Sequence, residues 1–432
     1  MSRLLIANDF TEELEESGEP RLATARWHAK RALFFARDHD VLILPEAPDD
    51  SFVHYVTALT GTDRSTLAVI TPPGAALTPA TLTDPAFRDR VRAALTGRTV
   101  DAVIPLHPDA AAVDLARGLG LLEAVAGHGF IAQGGGSLAN SKAVFRALAA
   151  GTGTPVPDGT VCAAVESATG DVHALLEGGH PVIVKHEYRQ ATKGNEILSP
   201  YGGIAPRGAP RLTVLDDRPA VAAYLRDHWG RMTSDGRHRL VVERYFPDSA
   251  TVFAEFTLTD EGIAAAGQGE LLYEPGPSAQ IMPVQTVPPE LTAELLSGGR
   301  ELCRALHAMG YRGTVSTDAI VTADGRLFFT EFNGRTTGST HVYAEIGGRI
   351  VGPGHYPLHR VLLEHVAWPV PSFDRAVAAL TEAGLAYRPG TRTGVVINTA
   401  FDTAYRDVCF CVVAEDLAGA RKQREQVLSL FA

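Results

Sequence analysis

Cysteine is scarce in this chain of 432 residues, and its four cysteines are Cys162, Cys303, Cys409 and Cys411. Only Cys409 and Cys411 are close in the sequence, and in an extended strand both point to the same face. Two thiols alone make a poor zinc site, because structural zinc takes four ligands. We therefore expect buried, reduced cysteines and a cytoplasmic location, since disulfide frameworks belong to oxidising compartments.

Long apolar runs are also missing, which excludes one class of protein. No stretch approaches the ~20 apolar residues that a membrane-spanning helix needs, and the acidic N-terminal sequence has no signal-peptide pattern. The formal net charge is −11, and an excess of negative charge disfavours binding to phosphate backbones and anionic lipids. We therefore expect no membrane partner and no nucleic-acid partner.

Lysine is the rare cation of this sequence. Arginine supplies most of the 39 basic residues, and lysine occurs only as Lys30, Lys142, Lys185, Lys193 and Lys422. Lys142 begins a predicted helix, where a cation opposes the helix dipole unless an anion is bound. Lys185 ends an apolar strand, and Lys193 lies in the polar loop "RQATKGNE", whose backbone N–H groups can cover phosphates. Each alone is typical of a surface lysine, but together they indicate a nucleotide triphosphate site.

The stretch "GTVSTDAIVTADGRLFFTEFNGR" predicts a hairpin of two apolar strands with charges inside them. The dipeptide at 324–325, Asp-Gly, is typical of a two-residue hairpin turn, because such turns need positive φ. A two-residue loop pairs Val321 with Phe328. Continued along the ladder, the same register places Asp318 directly opposite Glu331.

The paired acids of this hairpin suggest a metal site. Two carboxylates that face each other across a strand pair repel each other. Asn333 and Arg335 follow Glu331 at steps of two, so they share its face of the sheet. Mg²⁺ takes carboxylate and carbonyl oxygens, often together with substrate phosphates. The pattern predicts that Asp318, Glu331 and Asn333 bind Mg²⁺ with Arg335 beside them; the alternative is a solvated hairpin edge.

The stretch "RLVVERYF" predicts a strand that ends in an acid. Glu243 is placed to accept a hydrogen bond from the exocyclic amine of a purine, while Tyr245 and nearby backbone contact the rest of its edge. Asp248, just beyond, is placed to bind ribose hydroxyls. The alternatives are a strand-end salt bridge for Glu243 and an ordinary turn residue for Asp248.

The chain divides into three segments by pattern. Residues 1–136 alternate strands and helices, which predicts a Rossmann-like parallel sheet covered on both faces. Residues 137–369 are mixed α+β and largely antiparallel, and residues 370–432 predict a small α+β domain. The polar residues at the ends of the N-terminal strands are interpreted as ordinary loop residues: Asn8, Asp9, Glu46, His107 and Asp109.

The order of these pieces resembles the ATP-grasp ligases. The matching run is "NSK", "VIVK", the glycine-bearing loop, "VVERYF" and "TDAIV" followed by "FFTEFNGR". The resemblance implies a pre-ATP-grasp domain, a two-lobed core with a lid lobe at about 153–245, and a site for ATP and two Mg²⁺ ions between the lobes. The nucleotide and metal residues that it implies are Lys142, Lys185, Glu243, Asp318, Glu331 and Asn333. Arg335 is implied as the catalytic residue that stabilises the phosphoryl group. The chain departs from the family in having a single glycine in the loop.

Within that family the chain is most similar to the pheganomycin-type peptide ligases of natural-product and antibiotic biosynthesis. The resemblance implies that a substrate carboxylate is phosphorylated to an acyl phosphate and coupled to an amine, with release of ADP and phosphate. The implied donor is an amino acid or an N-modified amino acid, and the implied acceptor is an amino acid or a short peptide. A homodimer is common in the family. Two alternatives stay open: ammonia or a thiol as the nucleophile, and a nucleotide-binding protein without ligase chemistry.

The stretch "GRTTGSTHVYAEIGG" after the hairpin is expected to continue the active site. Thr337, Gly338 and Ser339 offer hydroxyl and N–H donors to a substrate carboxylate. His341 and Tyr343 are predicted to line the acceptor pocket, with ordinary packing as the alternative.

Overall fold

The computed structural model of the chain describes residues 2–8, 19–74, 76–274 and 276–431. Within these ranges the strands form three sheets, of four, five and eight strands. The first sheet is parallel and the other two are largely antiparallel, which confirms the predicted α/β and α+β class. None of the described helices is long and apolar enough to cross a membrane.

The N-terminal segment forms the parallel sheet. Its strands are β1 (Ser2–Ile6), β2 (Val41–Ile43), β3 (Ala68–Ile70) and β4 (Val100–Pro105), in the order β3-β2-β1-β4. The helices of this segment are α1 (Glu19–Ala29), which a 3₁₀ turn continues over Lys30–Phe35, α2 (Asp50–Thr60), α3 (Pro79–Thr83), α4 (Pro85–Leu95) and α5 (Ala110–Leu119). Leu4, Ile6 and Val41 have no exposed surface, as expected where helices cover both faces of a sheet.

Most of the polar residues at the ends of these strands serve local structure. Asp109 caps the N-terminus of α5. Asn8 donates hydrogen bonds to the carbonyl oxygen of His107 and to Asp109, and Glu46 forms an ion pair with a lysine. Asp9 lies outside the described residues. For Asn8, Glu46 and Asp109 these contacts agree with the interpretation as loop residues, whereas His107 lines the cavity described below.

Three helices lead from the first sheet to the second: α6 (His128–Ile131), α7 (Gly135–Leu138) and α8 (Lys142–Thr152). The Ser141 hydroxyl accepts a hydrogen bond from the amide of Val144 and so begins α8. Gly153, with φ of +69°, ends the helix in the left-handed conformation that glycine favours. Lys142 therefore occupies the first helical position, as the sequence predicts.

The second sheet contains five strands and belongs to the predicted lid region. Its strands are β5 (Gly159–Cys162), β6 (Val182–His186), β7 (Asn195–Ser199), β8 (Leu212–Val214) and β9 (Leu240–Arg244), in the order β5-β9-β6-β7-β8. Helices α9 (Val165–Glu177) and α10 (Arg218–Thr233) pack against it. Val182 and Val184 of β6 lie in the core with these helices. Ile183 and Lys185 alternate with them and face a cavity.

The third sheet has eight strands and carries the predicted hairpin. Its strands are β10 (Ala250–Thr259), β11 (Gly262–Tyr273), β12 (Pro277–Met282), β13 (Gly313–Val321), β14 (Leu327–Asn333), β15 (Val361–Pro369), β16 (Gly394–Ile397) and β17 (Asp407–Ala414). Their order is β14-β13-β10-β11-β12-β15-β17-β16. The accompanying helices are α11 (Pro289–Ala308), a π-helical segment over Val342–Val351, α12 (Phe373–Glu382) and α13 (Leu417–Leu428).

The C-terminal segment continues this sheet. Strand β17 pairs with β15 along most of its length, and β16 pairs with β17. The indole of Trp27 donates a hydrogen bond to the carbonyl oxygen of Ala400 at 2.6 Å, which ties α1 to the same region. Cys409 and Cys411 of β17 are buried and free, as expected. The boundaries after residues 136 and 369 stay predictions.

Candidate active site

A cavity of about 1100 Å³ lies between the five-stranded and eight-stranded sheets. Most of the residues predicted from the sequence line it: Lys142, Lys185, Lys193, Glu243, Tyr245, Asp248, Asp318, Glu331, Asn333, Arg335, Thr337, Gly338, Ser339 and His341. Tyr343 is not among the lining residues. The fold therefore brings together, in one space, side chains that are spread over about 200 positions of the sequence.

The hairpin that carries the acids differs from the predicted geometry near its turn. Val321 pairs with Leu327 rather than with Phe328, so the prediction was wrong there by one residue. The loop has three residues, because the amide of Thr322 donates to the carbonyl oxygen of Arg326 at 2.9 Å. An irregularity after Asp318 restores the predicted register, and Asp318 lies opposite Glu331. The one-residue offset near the turn is reversed by this bulge, so the predicted pairing of the two acids is correct.

The two opposed acids are in different electrostatic surroundings. Burial, together with the nearby Glu331 charge, raises the pKa of Asp318 well above its usual value. Burial also opposes ionisation of Glu331, but the ammonium groups of Lys142 and Lys185 outweigh it and lower the pKa of Glu331 below its usual value. Asn333 donates from its amide to Asp318 at 3.2 Å. The hairpin therefore offers one firmly ionised carboxylate and one that needs a cation to ionise.

Lys142 joins the hairpin to the lid region. Its ammonium lies 3.1 Å from a carboxylate oxygen of Glu331 and donates to the carbonyl oxygen of Arg189 at 2.9 Å. The side chain is 7% exposed, so its charge is little screened by water. Ser141, which caps the helix, also donates to Glu187 at 2.5 Å. These contacts fix the start of α8 beside the first residues of the "RQATKGNE" loop.

Lys185 and Glu243 form a second buried pair. The Lys185 ammonium lies 2.5 Å from one oxygen of Glu243, and the Arg146 guanidinium lies 2.6 Å from the other. Glu243 is 1% exposed. Both carboxylate oxygens are therefore occupied by cations, which is the salt-bridge alternative stated for Glu243 above. Arg146 was not predicted from the sequence, although it lies four positions after Lys142, a spacing that puts both on one face of α8.

The remaining residues predicted to bind the nucleotide line the same cavity, but they differ in burial and in hydrogen bonding. The Tyr245 hydroxyl donates to the carbonyl oxygen of Arg207 at 3.1 Å, so it holds a neighbouring loop. Asp248 is exposed in a turn after β9. Lys193 is exposed in the loop between β6 and β7, where Ala191 and Thr192 have positive φ. The lining of the cavity thus includes both fixed side chains and solvent-exposed ones.

Arg335 is positioned by a contact with the residues that precede α8. Its guanidinium donates to the side-chain oxygen of Asn140. Asn140 in turn donates to the carbonyl oxygens of Gly136 and Gly334 at 2.8 and 3.3 Å. Gly334 is required by packing, because a Cβ there would lie 2.5 Å from Ala139. The turn that follows Asn333 is therefore pressed against the residues before α8, and this places Arg335 at the cavity.

The loop after Arg335 is held in place by a buried acid that was not predicted from the sequence. Glu255 on β10 accepts hydrogen bonds from the hydroxyls of Thr337, Thr340 and Tyr343. Burial raises the pKa of Glu255. Tyr343 is 5% exposed, and its contact with Glu255 accounts for its packing. An isolated acid in the apolar strand "ATVFAEFTLT" was the available signal.

The comparisons with known proteins agree with this architecture. Residues 29–121 match the family described as the pre-ATP-grasp domain. The ADP complex of N5-carboxyaminoimidazole ribonucleotide synthetase superposes with a TM-score of 0.58 at 14% identity, over 100% of this chain and 96% of that one. This chain has the ATP-grasp fold. Residues 375–427 match a further family, described as the PGM1 C-terminal domain.

Two other relatives extend the ATP-grasp comparison. An L-amino acid ligase from Bacillus licheniformis superposes with a TM-score of 0.54 at 12% identity, over 99% of this chain and 96% of that one. The carbamoyl phosphate synthase large chain of Brucella melitensis biotype 1 is 25% identical over 175 residues, which is 39% of this chain. The match spans only 15% of that relative's length. These comparisons therefore support a shared ATP-grasp fold.

Proposed function

We propose that this chain is an ATP-dependent carboxylate–amine ligase that forms an amide or peptide bond and releases ADP and phosphate. One observation carries the proposal. The opposed acids Asp318 and Glu331, with Asn333 beside them, share a cavity with the buried ammonium groups of Lys142 and Lys185. Phosphoryl transfer needs carboxylate oxygens that bind a metal ion and, next to them, cationic side chains that bind phosphates.

The hairpin side chains fit Mg²⁺. Among the described residues, no cluster of three or more acidic, histidine or cysteine side chains can hold a metal alone. Two carboxylates and one amide suit Mg²⁺, which usually completes its shell with water and substrate phosphates. The raised pKa of Asp318 is consistent with this role, since a carboxyl that resists ionising alone ionises beside a cation. When bound, Mg²⁺ neutralises phosphate charge; we infer that Asp318, Glu331 and Asn333 hold two such ions.

The lysines are assigned to the phosphates of ATP. In the structure Lys142 and Lys185 bind the carboxylates of Glu331 and Glu243. Phosphate oxygens offer the same charge and hydrogen-bond acceptors, so the ammonium groups can bind them with small movements. Lys193 lies in the adjoining loop and is assigned to the same task. Since that loop has one glycine, we propose that its side-chain charge supplements the backbone N–H groups.

We assign Glu243 mainly to positioning Lys185 and Arg146, because both of its oxygens are occupied. The purine is then assigned to the backbone at the end of β9, where Tyr245 lines the cavity. Asp248 is assigned to the ribose hydroxyls. A backbone edge at a strand end supplies the donors and acceptors that a purine edge needs. This assignment retains all three residues at the nucleotide and changes the role of the Glu243 carboxylate.

The proposed reaction has two steps. A carboxylate oxygen of the donor bonds to the γ-phosphorus of ATP as the bond from that phosphorus to ADP breaks, which gives an acyl phosphate. The neutral nitrogen of the acceptor then bonds to the acyl carbon, phosphate leaves with the bonding electrons, and the nitrogen loses its proton. Arg335, held by Asn140, is placed to stabilise the charge of the phosphoryl oxygens. Thr337, Gly338 and Ser339 are assigned to the substrate carboxylate.

The substrates are proposed at the level of class. An amino acid or N-modified amino acid as donor, and an amino acid or short peptide as acceptor, follow from the resemblance to pheganomycin-type peptide ligases, as does a role in natural-product biosynthesis. The L-amino acid ligase of the same fold supports a peptide product. The cavity volume of about 1100 Å³ leaves room for substrates beside a nucleotide.

The experiment that tests the function is product formation with MgATP. The protein is incubated with a panel of amino acids, N-amidino amino acids and short peptides, and products are followed by mass spectrometry with ADP detection. We expect an amide product in a one-to-one ratio with ADP. Glu331→Gln should lose at least about 100-fold in rate, as expected for loss of a charge that binds the metal. Glu301→Gln, an exposed substitution on α11, is the matched control.

The outcomes separate the alternatives. ADP formation without a coupled product would indicate that the acceptor belongs to another class, such as ammonia or a thiol. ATP binding without ADP formation across the panel would favour a nucleotide-binding protein without ligase chemistry. Full turnover in the Glu331→Gln variant would contradict the metal assignment.

A further inference from the structure

A continuous chain of polar side chains borders the end of the cavity away from the hairpin, and all of them except the fully buried Asn398 line the cavity. Ser339 donates to Gln280 at 2.5 Å, and Gln280 donates to Glu364 at 2.6 Å. Asn398 donates to the other oxygen of Glu364, and it lies 3.3 Å from a ring nitrogen of His341. We call these five residues the polar chain. It connects two residues of the predicted substrate loop to an acid that the sequence analysis did not identify.

Glu364 is the only acid of the polar chain, and its partners are neutral. It is 4% exposed, and it lies directly opposite Gln280 in the pairing of β15 with β12. Its two side-chain donors are the amides of Gln280 and Asn398. No ion pair joins Glu364 to a lysine, arginine or histidine within the described ranges. A buried carboxylate held only by neutral groups is costly to ionise, and a cation would offset that cost.

The metal site is too far along the sheet to supply this cation. Glu364 lies on β15 and Asp318 lies on β13, with β12, β11 and β10 between them. At about 4.8 Å per strand, the path along the sheet is roughly 19 Å. A cation at Asp318 and Glu331 therefore does not compensate Glu364. At the other end of the cavity Lys142 pairs with Glu331 and Lys185 pairs with Glu243, so neither lysine compensates Glu364.

The charged and titratable groups that face Glu364 come from three elements. Arg31 of the 3₁₀ turn attracts its negative charge from beyond ion-pair distance, and His341 reaches it through Asn398. Cys409 and Cys411 lie on β17, and burial together with the Glu364 charge raises the pKa of both thiols. Both thiols are therefore neutral near pH 7. Among these groups only Arg31 is a permanent cation, and it does not pair with Glu364.

The wall around this end is built from distant parts of the chain. Trp27 and His28 of α1 line the cavity and stack with ring centroids 5.9 Å apart. Thr399 and Cys409 line it from the C-terminal segment. An apolar aromatic wall beside a buried acid suits a ligand that has a charged nitrogen on an apolar body.

We propose that Glu364, with Gln280 and Asn398, is a binding subsite for a protonated amine of the substrate. The carboxylate accepts hydrogen bonds from the N–H groups of the amine, while the two amides keep its oxygens in place. The proposal rests on the proposed function only in identifying the ligand as a substrate of the ligase; the subsite itself follows from the contacts above.

Ligand binding at this subsite should be coupled to the release of a proton. Burial, only partly offset by the Asn398 and Gln280 hydrogen bonds, raises the pKa of the Glu364 carboxyl to about 7. Part of the population therefore carries a proton there near neutral pH before the ligand binds. A cationic ligand favours the ionised form, so its binding releases that proton. A neutral or anionic ligand has no such effect.

The test measures binding by isothermal titration calorimetry, with the full chain and without ATP. Three probes share one aromatic body: phenethylamine, which is a cation; L-phenylalanine; and 3-phenylpropionate, which lacks the nitrogen. We expect the two amines to bind at least tenfold more tightly than 3-phenylpropionate. Titrations at pH 7 in buffers of different ionisation enthalpy should show net proton release when an amine binds.

Variants make the test specific. Glu364→Gln should weaken phenethylamine binding at least tenfold and abolish proton release, because it keeps the shape and loses the charge. Glu364→Asp, which shortens the side chain, should keep part of the binding and the proton release. Glu345→Gln is the control, since Glu345 is buried in ion pairs with Arg37 and Arg349 and does not line the cavity. Circular dichroism and thermal melting verify the fold of each variant.

Several results would overturn the subsite. They are equal binding of phenethylamine by the Glu364→Gln variant and the unaltered chain, tighter binding of 3-phenylpropionate than of the amine, and no measurable binding of any probe. Failure of the ligase would look different: amine binding and proton release would persist while no ADP formed with the substrate panel.

Discussion

Lys185 and Glu243 form a buried ion pair at 2.5 Å across neighbouring strands of the five-stranded sheet. Arg146 binds the second oxygen of the same carboxylate from α8. Since α8 also carries Lys142, one acid fixes the orientation of the sheet and of the helix that together supply the proposed phosphate-binding cations. Glu243 thus holds together the end of the cavity that carries Lys142 and Lys185.

Loss of Glu243 should destabilise the protein. Glu243→Gln leaves Arg146 and Lys185 next to each other in a buried position without a counter-charge. Removal of one partner of a buried ion pair typically costs about 3–5 kcal/mol, and we expect a loss of that size in the free energy of unfolding, measured with urea. Bound ATP should recover part of it, because phosphates supply negative charge. Glu301→Gln on the surface of α11 is the control and should change little.

The Asp318 carboxyl should show a conflict between stability and function. Its raised pKa reflects burial and the nearby Glu331 charge, so Asp318→Asn removes an unfavourable interaction from the protein without metal. We expect the variant to be more stable by about 1 kcal/mol and at least about 100-fold less active with MgATP. Thermal melting and ADP release measure the two effects. A variant that is both less stable and fully active would contradict the proposed site.

Glu364 should make the stability depend on pH. Its pKa is about 7 in the folded chain, against 4.5 for an unperturbed glutamate. The folded state therefore binds more protons than the unfolded state between these values, and stability falls as the pH rises from about 4.5 to about 7. Melting of Glu364→Gln should match the unaltered chain near pH 4.5 and exceed it at pH 8. An equal pH dependence in both proteins would show that Glu364 ionises without cost.

Tyr343 should contribute to stability rather than to substrate binding. Its hydroxyl donates to Glu255 at 2.9 Å, and the residue does not line the cavity. Tyr343→Phe removes one of three donors to a buried carboxylate, and we expect a loss of about 1–3 kcal/mol in unfolding free energy. The KM values for the two substrates should stay within a factor of two. A large change in either KM with unaltered stability would instead support the prediction that Tyr343 lines the acceptor pocket.

The sequence predicted that Asp318 faces Glu331, as it does, because this signal is local. Strand alternation and a single turn relate Asp318, Glu331 and Asn333, so their proximity needs no knowledge of the rest of the fold. The pairing near the turn was wrong by one residue, since the Asp-Gly pattern does not distinguish two-residue from three-residue loops. The later bulge, which restored the register at Asp318, has no clear pattern in the sequence.

Glu364 shows what local patterns cannot predict. It contacts Gln280, which is 84 positions earlier, and Asn398, which is 34 positions later. Its place at the cavity depends on the pairing of β15 with both β12 and β17. An acid within "VLLEHVAWP" indicates a special position but not its neighbours. Arg146 and Glu255 were missed for the same reason, since their roles depend on contacts with other elements.

The pairing of β17 with β15 has a consequence for any shortened form of the chain. A protein that ended after Pro369 would leave one edge of β15 with unpaired N–H and C=O groups along an apolar strand. Such an open edge readily accepts a strand from another molecule. Truncation at this point would therefore yield self-associating material rather than a smaller folded protein.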